Sequence, residues 1–158
     1  MPDVLTALKQ HAESLKNPAW VCFIWFGMSA GISLLETPVK FTAPTITREV
    51  ALDVGRVVFA ALNQAEFVAL ILLLILVRIS GRARELLLAC GALAAIQIAQ
   101  AAWLLPELSE RTEQIIEGIE PGASAAHGTF SVLQLLKLLL LLYIGFRSMT
   151  PSAALHKQ

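Results

Sequence analysis

Residues 55–78 read GRVVFAALNQAEFVALILLLILVR. The stretch exceeds the roughly 20 apolar residues that cross a bilayer core, yet its first half carries Arg56, Asn63, Gln64 and Glu66. A carboxylate near mid-bilayer costs on the order of 3 kcal/mol on insertion scales, so Glu66 requires a partner. The search for that partner orders the rest of the chain.

The 158 residues are 56% hydrophobic and 15% charged, against about 45–50% and about 25% in soluble domains. Both departures point to a membrane protein; with the helical spans below, the expectation is an all-α integral membrane four-helix bundle. The formal net charge of +0 offers no bulk attraction for nucleic acid. Cys22 and Cys90 stand alone without a CxxC pair, so no zinc or disulfide framework is expected.

Four spans follow from hydropathy and breakers, over residues 19–35, 57–77, 86–105 and 130–146. Residues 1–18 precede them, with Val4, Leu5, Leu8 and Leu15 at helical spacing and Asn17-Pro18 as a stop. This predicts an interfacial amphipathic helix, with a solvated helix as the alternative. In the first span Trp20 and Trp25 suit an interface or the outer half of a leaflet, Gly27 and Gly31 form a GxxxG contact motif, and Thr37-Pro38 predicts a helix end. Pro44 divides the following connection, with a short helix expected over Thr45–Leu52. Pro106 is expected to end the third span, and Leu108–Ile119 to form a helix outside the bilayer. Residues 148–158 read as a flexible tail.

Four crossings place both termini on one side. That side carries Lys9, Lys16, Arg78, Arg82, Arg84, Arg147 and Lys157, whereas Lys40, Arg48, Arg56 and Arg111 lie opposite among many acids. The positive-inside rule then predicts that both termini and the turn over residues 79–85 are cytoplasmic. Cys22 and Cys90 fall near the cytoplasmic, reducing face. The acidic 107–120 segment faces outward, where an extracytoplasmic partner can meet it; a homo-oligomer is also compatible with four spans.

Spans two and four run in the same direction, so their polar residues compare by depth. Arg56, Asn63 and Glu66 have steps of seven and three, and so do His127, Gln134 and Lys137. Those steps keep each set on one helical face. At about 1.5 Å per residue, Glu66 and Lys137 both lie ~15 Å deep, half of a ~30 Å core. They are expected to pair. Ser29, Ser33 and Glu36 from span one and Gln97 and Gln100 from span three join the column, with Arg56 or Lys40 as partner for Glu36. The matched steps, with Phe59 and Phe130 equivalent, suggest that 19–78 and 86–147 are two copies of one hairpin.

The column, Glu36, Arg56, Asn63, Glu66, Gln97, Gln100, His127, Gln134 and Lys137, has two readings. One is an outward-facing polar pocket that binds or permeates a small polar or anionic ligand. The other is a clasp that fixes helix packing, since breaking a buried ion pair is strongly destabilising. An acid–base role for Glu66 or His127 is a third. No metal is expected: His127 has no Glu-x-x-His spacing, and His11 and His156 lie toward the other side. The cofactor is left unassigned.

A Gly-containing first helix followed by a Pro-containing loop, GRVVF opening the second (55–59), and HGTFSVLQLL opening the fourth (127–136) together resemble a bacterial four-helix membrane family related to eukaryotic transmembrane protein 205. The resemblance covers roughly residues 20–147. His127-Gly128, Ser131 and Gln134 carry its most specific part, with Gln134 standing where many members have Asn. It implies four helices and a membrane location, expected to be a bacterial inner membrane, and no reaction.

Overall fold

A computed structural model of the chain describes residues 2–81 and 83–150. Thr47 opens the helix that carries the decisive stretch. Its backbone is extended and its hydroxyl accepts from the Val50 amide at 3.4 Å, an N-cap, and Glu49 in the first turn complements the helix dipole. No breaker follows before Ser80, so the helix runs from Arg48 to Ile79, 32 residues. The short helix expected over Thr45–Leu52 and the span expected over 57–77 are therefore one element. Gly55 alone costs only ~1 kcal/mol in a helix interior, too little to break it.

In chain order the helices are α1 (Pro2–Leu15), α2 (Ala19–Lys40), α3 (Arg48–Ile79), α4 (counted from Leu86 to Ile116) and α5 (Ala126–Met149). The last four are long and apolar enough to cross a membrane. Among the described residues there is no strand. In α1 the apolar Val4, Leu8 and Leu15 are exposed. The helix α5 continues to Met149, so Ser148 and Met149 belong to it rather than to a tail. Arg82 and residues 151–158, with His156 and Lys157, lie outside the described residues.

Neither Pro38 nor Pro106 ends its helix, contrary to expectation. Each is preceded by a π-helical turn, Gly31–Glu36 in α2 and Gln100–Leu104 in α4, and the helix resumes through Thr37–Lys40 and Leu105–Ile116. A proline ring normally clashes with the carbonyl four residues back. Here wide i→i+5 bonds, Thr37 N–H to Ile32 O and Leu105 N–H to Gln100 O, enlarge the turn just before each ring. The Thr37 hydroxyl also donates to Ile32 O at 2.9 Å. Such π-turns are frequent at functional sites.

At ~1.5 Å per residue α3 is about 48 Å long, well beyond a ~30 Å hydrocarbon core. Its first turns continue past the bundle and pack against Leu105–Ile116 of α4. This end, with the connections 41–47 and 117–125, is called the long-loop end.

At the opposite half the core is apolar. Val21, Cys22 and Trp25 of α2, Leu70, Leu73 and Val77 of α3, Leu86, Cys90 and Leu93 of α4, and Leu141 and Ile144 of α5 pack together. Helix α2 packs extensively on α5, aided by Gly145. A Cβ there would lie 3.0 Å from the Phe23 ring and 3.3 Å from Cys22 Cβ. Among the described residues the GxxxG pair has no such role: Gly27 and Gly31 are exposed, and a Cβ on either would meet nothing within 4 Å.

The two hairpins bury equivalent positions. Cys22 with Cys90, Trp25 with Leu93, and Ser29 with Gln97 stand at one constant spacing, as do Pro38 and Pro106. Glu66 with Lys137, Leu70 with Leu141, Leu73 with Ile144, and Val77 with Ser148 share a second spacing, 71 residues. Burial and the paired π-turns thus repeat although most of the residue identities do not.

Candidate functional site

The polar column divides into two centres stacked along the bundle. The deeper one surrounds Glu66. Its Oε2 accepts from Lys137 Nζ at 2.7 Å, and the two side chains are 3% and 1% exposed. Its Oε1 accepts from Ser29 Oγ at 2.6 Å and from Trp25 Nε1 at 3.1 Å. Lys137 Nζ donates also to Gln97 Oε1 at 2.9 Å, and Gln97 Nε2 reaches the Asn63 carbonyl at 3.4 Å. All four membrane-length helices contribute a side chain. A buried ion pair is tolerable where its other lone pairs and protons find partners; here both Glu66 oxygens and two of the three Lys137 ammonium protons do.

Two equivalent residues meeting near a pseudo-two-fold axis would be identical in a symmetric pair of hairpins. Two glutamates there would repel in a low-dielectric interior. With Glu66 in one hairpin and Lys137 in the other, the same meeting becomes an ion pair. Phe59 and Phe130, at the same spacing, also meet, edge to face at 5.5 Å between centroids.

Trp25 is the member that sequence reasoning missed. Its expected place was an interface or the outer half of a leaflet, but it is fully buried inside the bundle. Its seven-residue distance from Ile32 and four from Ser29 hold it on the same face as Ser29; that spacing was the available signal.

Above this centre, Gln100 Nε2 donates to Gln134 Oε1 at 3.1 Å. Both glutamines are buried, and the other end of each amide, Gln100 Oε1 and Gln134 Nε2, has no partner. Gln134 then forms the floor of a cavity of about 330 Å³ at the long-loop end, the small end of ligand pockets at roughly 300–1,000 Å³. Phe59 and Phe130 line it too, with Leu52, Leu105, Leu108 and Leu138. Ser33 Oγ, also buried and unpartnered, belongs to the lining.

Among the described residues, the titratable side chains lining this cavity are Lys40, Arg56 and His127, all basic. Their acidic neighbours lie outside the lining. Lys40 Nζ is 3.5 Å from Glu36, and Arg56 holds Asp53 Oδ1 through Nε and Nη2 at 3.1 and 2.7 Å. Of the two partners considered for Glu36, the structure selects Lys40. The Lys40 side chain is only 9% exposed and its Nζ lies 5.8 and 6.0 Å from the Phe41 and Phe59 ring centroids. Gly55 makes room for it, because a Cβ there would sit 2.7 Å from that nitrogen. An adjoining open groove, with Pro38, Arg48 and Ile115 in its wall, shares Ser33, Phe41 and His127 with the cavity.

Arg56, His127 and Gln134 therefore line the cavity, whereas Glu66, Gln97, Gln100 and Lys137 lie beneath it; Glu36 pairs with the cavity's Lys40, and Asn63 gives the deep centre only its main-chain carbonyl. Among the described residues no group of three His, Cys, Asp or Glu side chains could hold a metal ion. Neither a family model, nor a curated protein, nor a solved structure matches the chain.

Proposed function

We propose that the chain is a multi-pass inner-membrane protein that binds a small anionic ligand in the cavity at its long-loop end, with that end facing out of the cytoplasm. The observation that carries the reading is the lining: basic side chains without a carboxylate, and two buried polar atoms, Ser33 Oγ and Gln134 Nε2, left without partners. A buried polar atom without a hydrogen bond costs about 1–3 kcal/mol, which a bound acceptor would recover. The likeness to the four-helix membrane family enters here only as compatible.

The Glu66–Lys137 centre serves this reading as a clasp. Its charges are mutually satisfied and below it Leu73, Leu93 and Leu141 are fully buried, so binding is favoured over permeation. The structural alternative thus accounts for the deep centre and leaves the cavity unexplained.

The test is stabilisation of the purified protein in detergent by a panel of benzoate, inorganic phosphate and octanoate, set against tetramethylammonium. A ligand at 100 times its Kd should add about 2.7 kcal/mol. The stabilisation should disappear in a Lys40→Met, Arg56→Met double variant. Equal stabilisation by the cation, or none by any anion, would sink the reading.

A further inference from the structure

We infer that the ligand is a single-chain anionic amphiphile, and that it enters the cavity sideways from the lipid between α2 and α5. This rests on the anion-binding reading above and specifies its ligand. The first observation is the path of α2. From Ala19 to Ala30 it packs closely on α5, but the π-helical turn Gly31–Glu36 departs from that neighbour. The two helices separate at the level of the cavity. Leu34 and Leu135 mark the gap: both line the cavity, yet they are 63% and 56% exposed on the apolar surface of the bundle. A cavity whose wall continues onto a lipid-length surface through two leucines is open to an apolar chain.

The second observation is the polarity gradient. The charged groups converge from one direction, with Lys40 and Arg56 on the lining and His127 at the start of α5. Toward Leu34 and Leu135 the wall carries no charge: Leu138 and Phe130 supply apolar surface, with the uncharged Ser33, Ser131 and Gln134 beside them. A small hydrophilic anion would leave that wall wet or empty. Burying a methylene there is worth about 0.8 kcal/mol, so the wall rewards a ligand with a tail. A volume of about 330 Å³ suits one short chain rather than two.

The experiment places the full chain in lipid nanodiscs and measures retention of decyl phosphate by native mass spectrometry, beside inorganic phosphate, decyl maltoside and decyltrimethylammonium. Decyl phosphate should bind at least tenfold more tightly than the other three. Lys40→Met should weaken it about tenfold and Lys40→Arg should restore it. A Leu34→Trp, Leu135→Trp variant should slow loading several-fold without changing the folded fraction. Inorganic phosphate binding as tightly as decyl phosphate would overturn the amphiphile while sparing the anion site. Decyltrimethylammonium or decyl maltoside binding equally would overturn anion selection. No binding by either phosphate would remove both readings, and unchanged loading in the tryptophan variant would overturn the lateral route.

Discussion

The ion pair at the heart of the bundle makes a quantitative prediction. Lys137 Nζ and Glu66 Oε2 are 2.7 Å apart. At an effective dielectric of about 20 their attraction is about 6 kcal/mol, offset by the desolvation of both groups. Replacing Lys137 with Met strands Glu66 on the Trp25 and Ser29 donors. Replacing Glu66 with Gln directs an amide N–H₂ either at Lys137 or at the other two donors, so one donor–donor contact is unavoidable. Each single variant should lose about 3–5 kcal/mol, and 4 kcal/mol is nearly a thousandfold in the folding equilibrium. In the double variant the introduced amide can accept from Trp25 and Ser29 through its oxygen, while its nitrogen turns to Gln97 Oε1, freed by loss of the ammonium. That protein should lie within about 1 kcal/mol of the native one, because removing both charges of a buried pair is often neutral. Equilibrium unfolding by dodecyl sulfate in mixed micelles, followed by circular dichroism, measures all three. Single variants that each cost under about 1 kcal/mol and add up in the double would refute the clasp. Ligand binding at the cavity should survive in the double variant, since neither residue lines it.

Other perturbations probe the surroundings. Ser29→Ala removes a 2.6 Å bond to the buried carboxylate and should cost about 1.5–3 kcal/mol in the same unfolding assay. Gly145→Val places carbon against Phe23 and Cys22 and should destabilise by about 1–3 kcal/mol, whereas the same change at exposed Gly27 should leave packing within the chain intact. Gly55→Ala is expected to keep or raise helix stability by up to ~1 kcal/mol while displacing the Lys40 ammonium, so anion-dependent stabilisation should fall in a fold that remains sound. Glu110→Cys should react with a membrane-impermeant thiol reagent added outside whole cells; labelling only after lysis would reverse the proposed orientation.

The residue steps made much of this legible. Apolar runs bounded by basic residues reveal four long helices, because crossing a hydrocarbon core imposes length and hydropathy whatever the packing. Equal steps of seven and three place Glu66 and Lys137 at one depth on one face of their helices, and they do pair. Helix ends were less legible. Pro38 and Pro106 carry a local stop signal, but a π-turn beside each lets packing in the bundle override it. Trp25 reads as an interfacial residue by type, and only its neighbours make it a donor to Glu66.

The sequence by itself determined four membrane-length helices, the depth of the buried charges and the likeness of the two hairpins, all properties of spacing along a helix. The tertiary structure alone decided that the column is two centres rather than one. Lys137 is neutralised by Glu66 and Gln97 beneath Gln134, and Lys40, from a connection expected to lie outside the helix, folds over Gly55 to line the cavity instead. Depth can be counted from residue numbers. Which side chain faces a neighbour and which faces empty space depends on how α2 departs from α5, a property of the packed helices and not of any one of them.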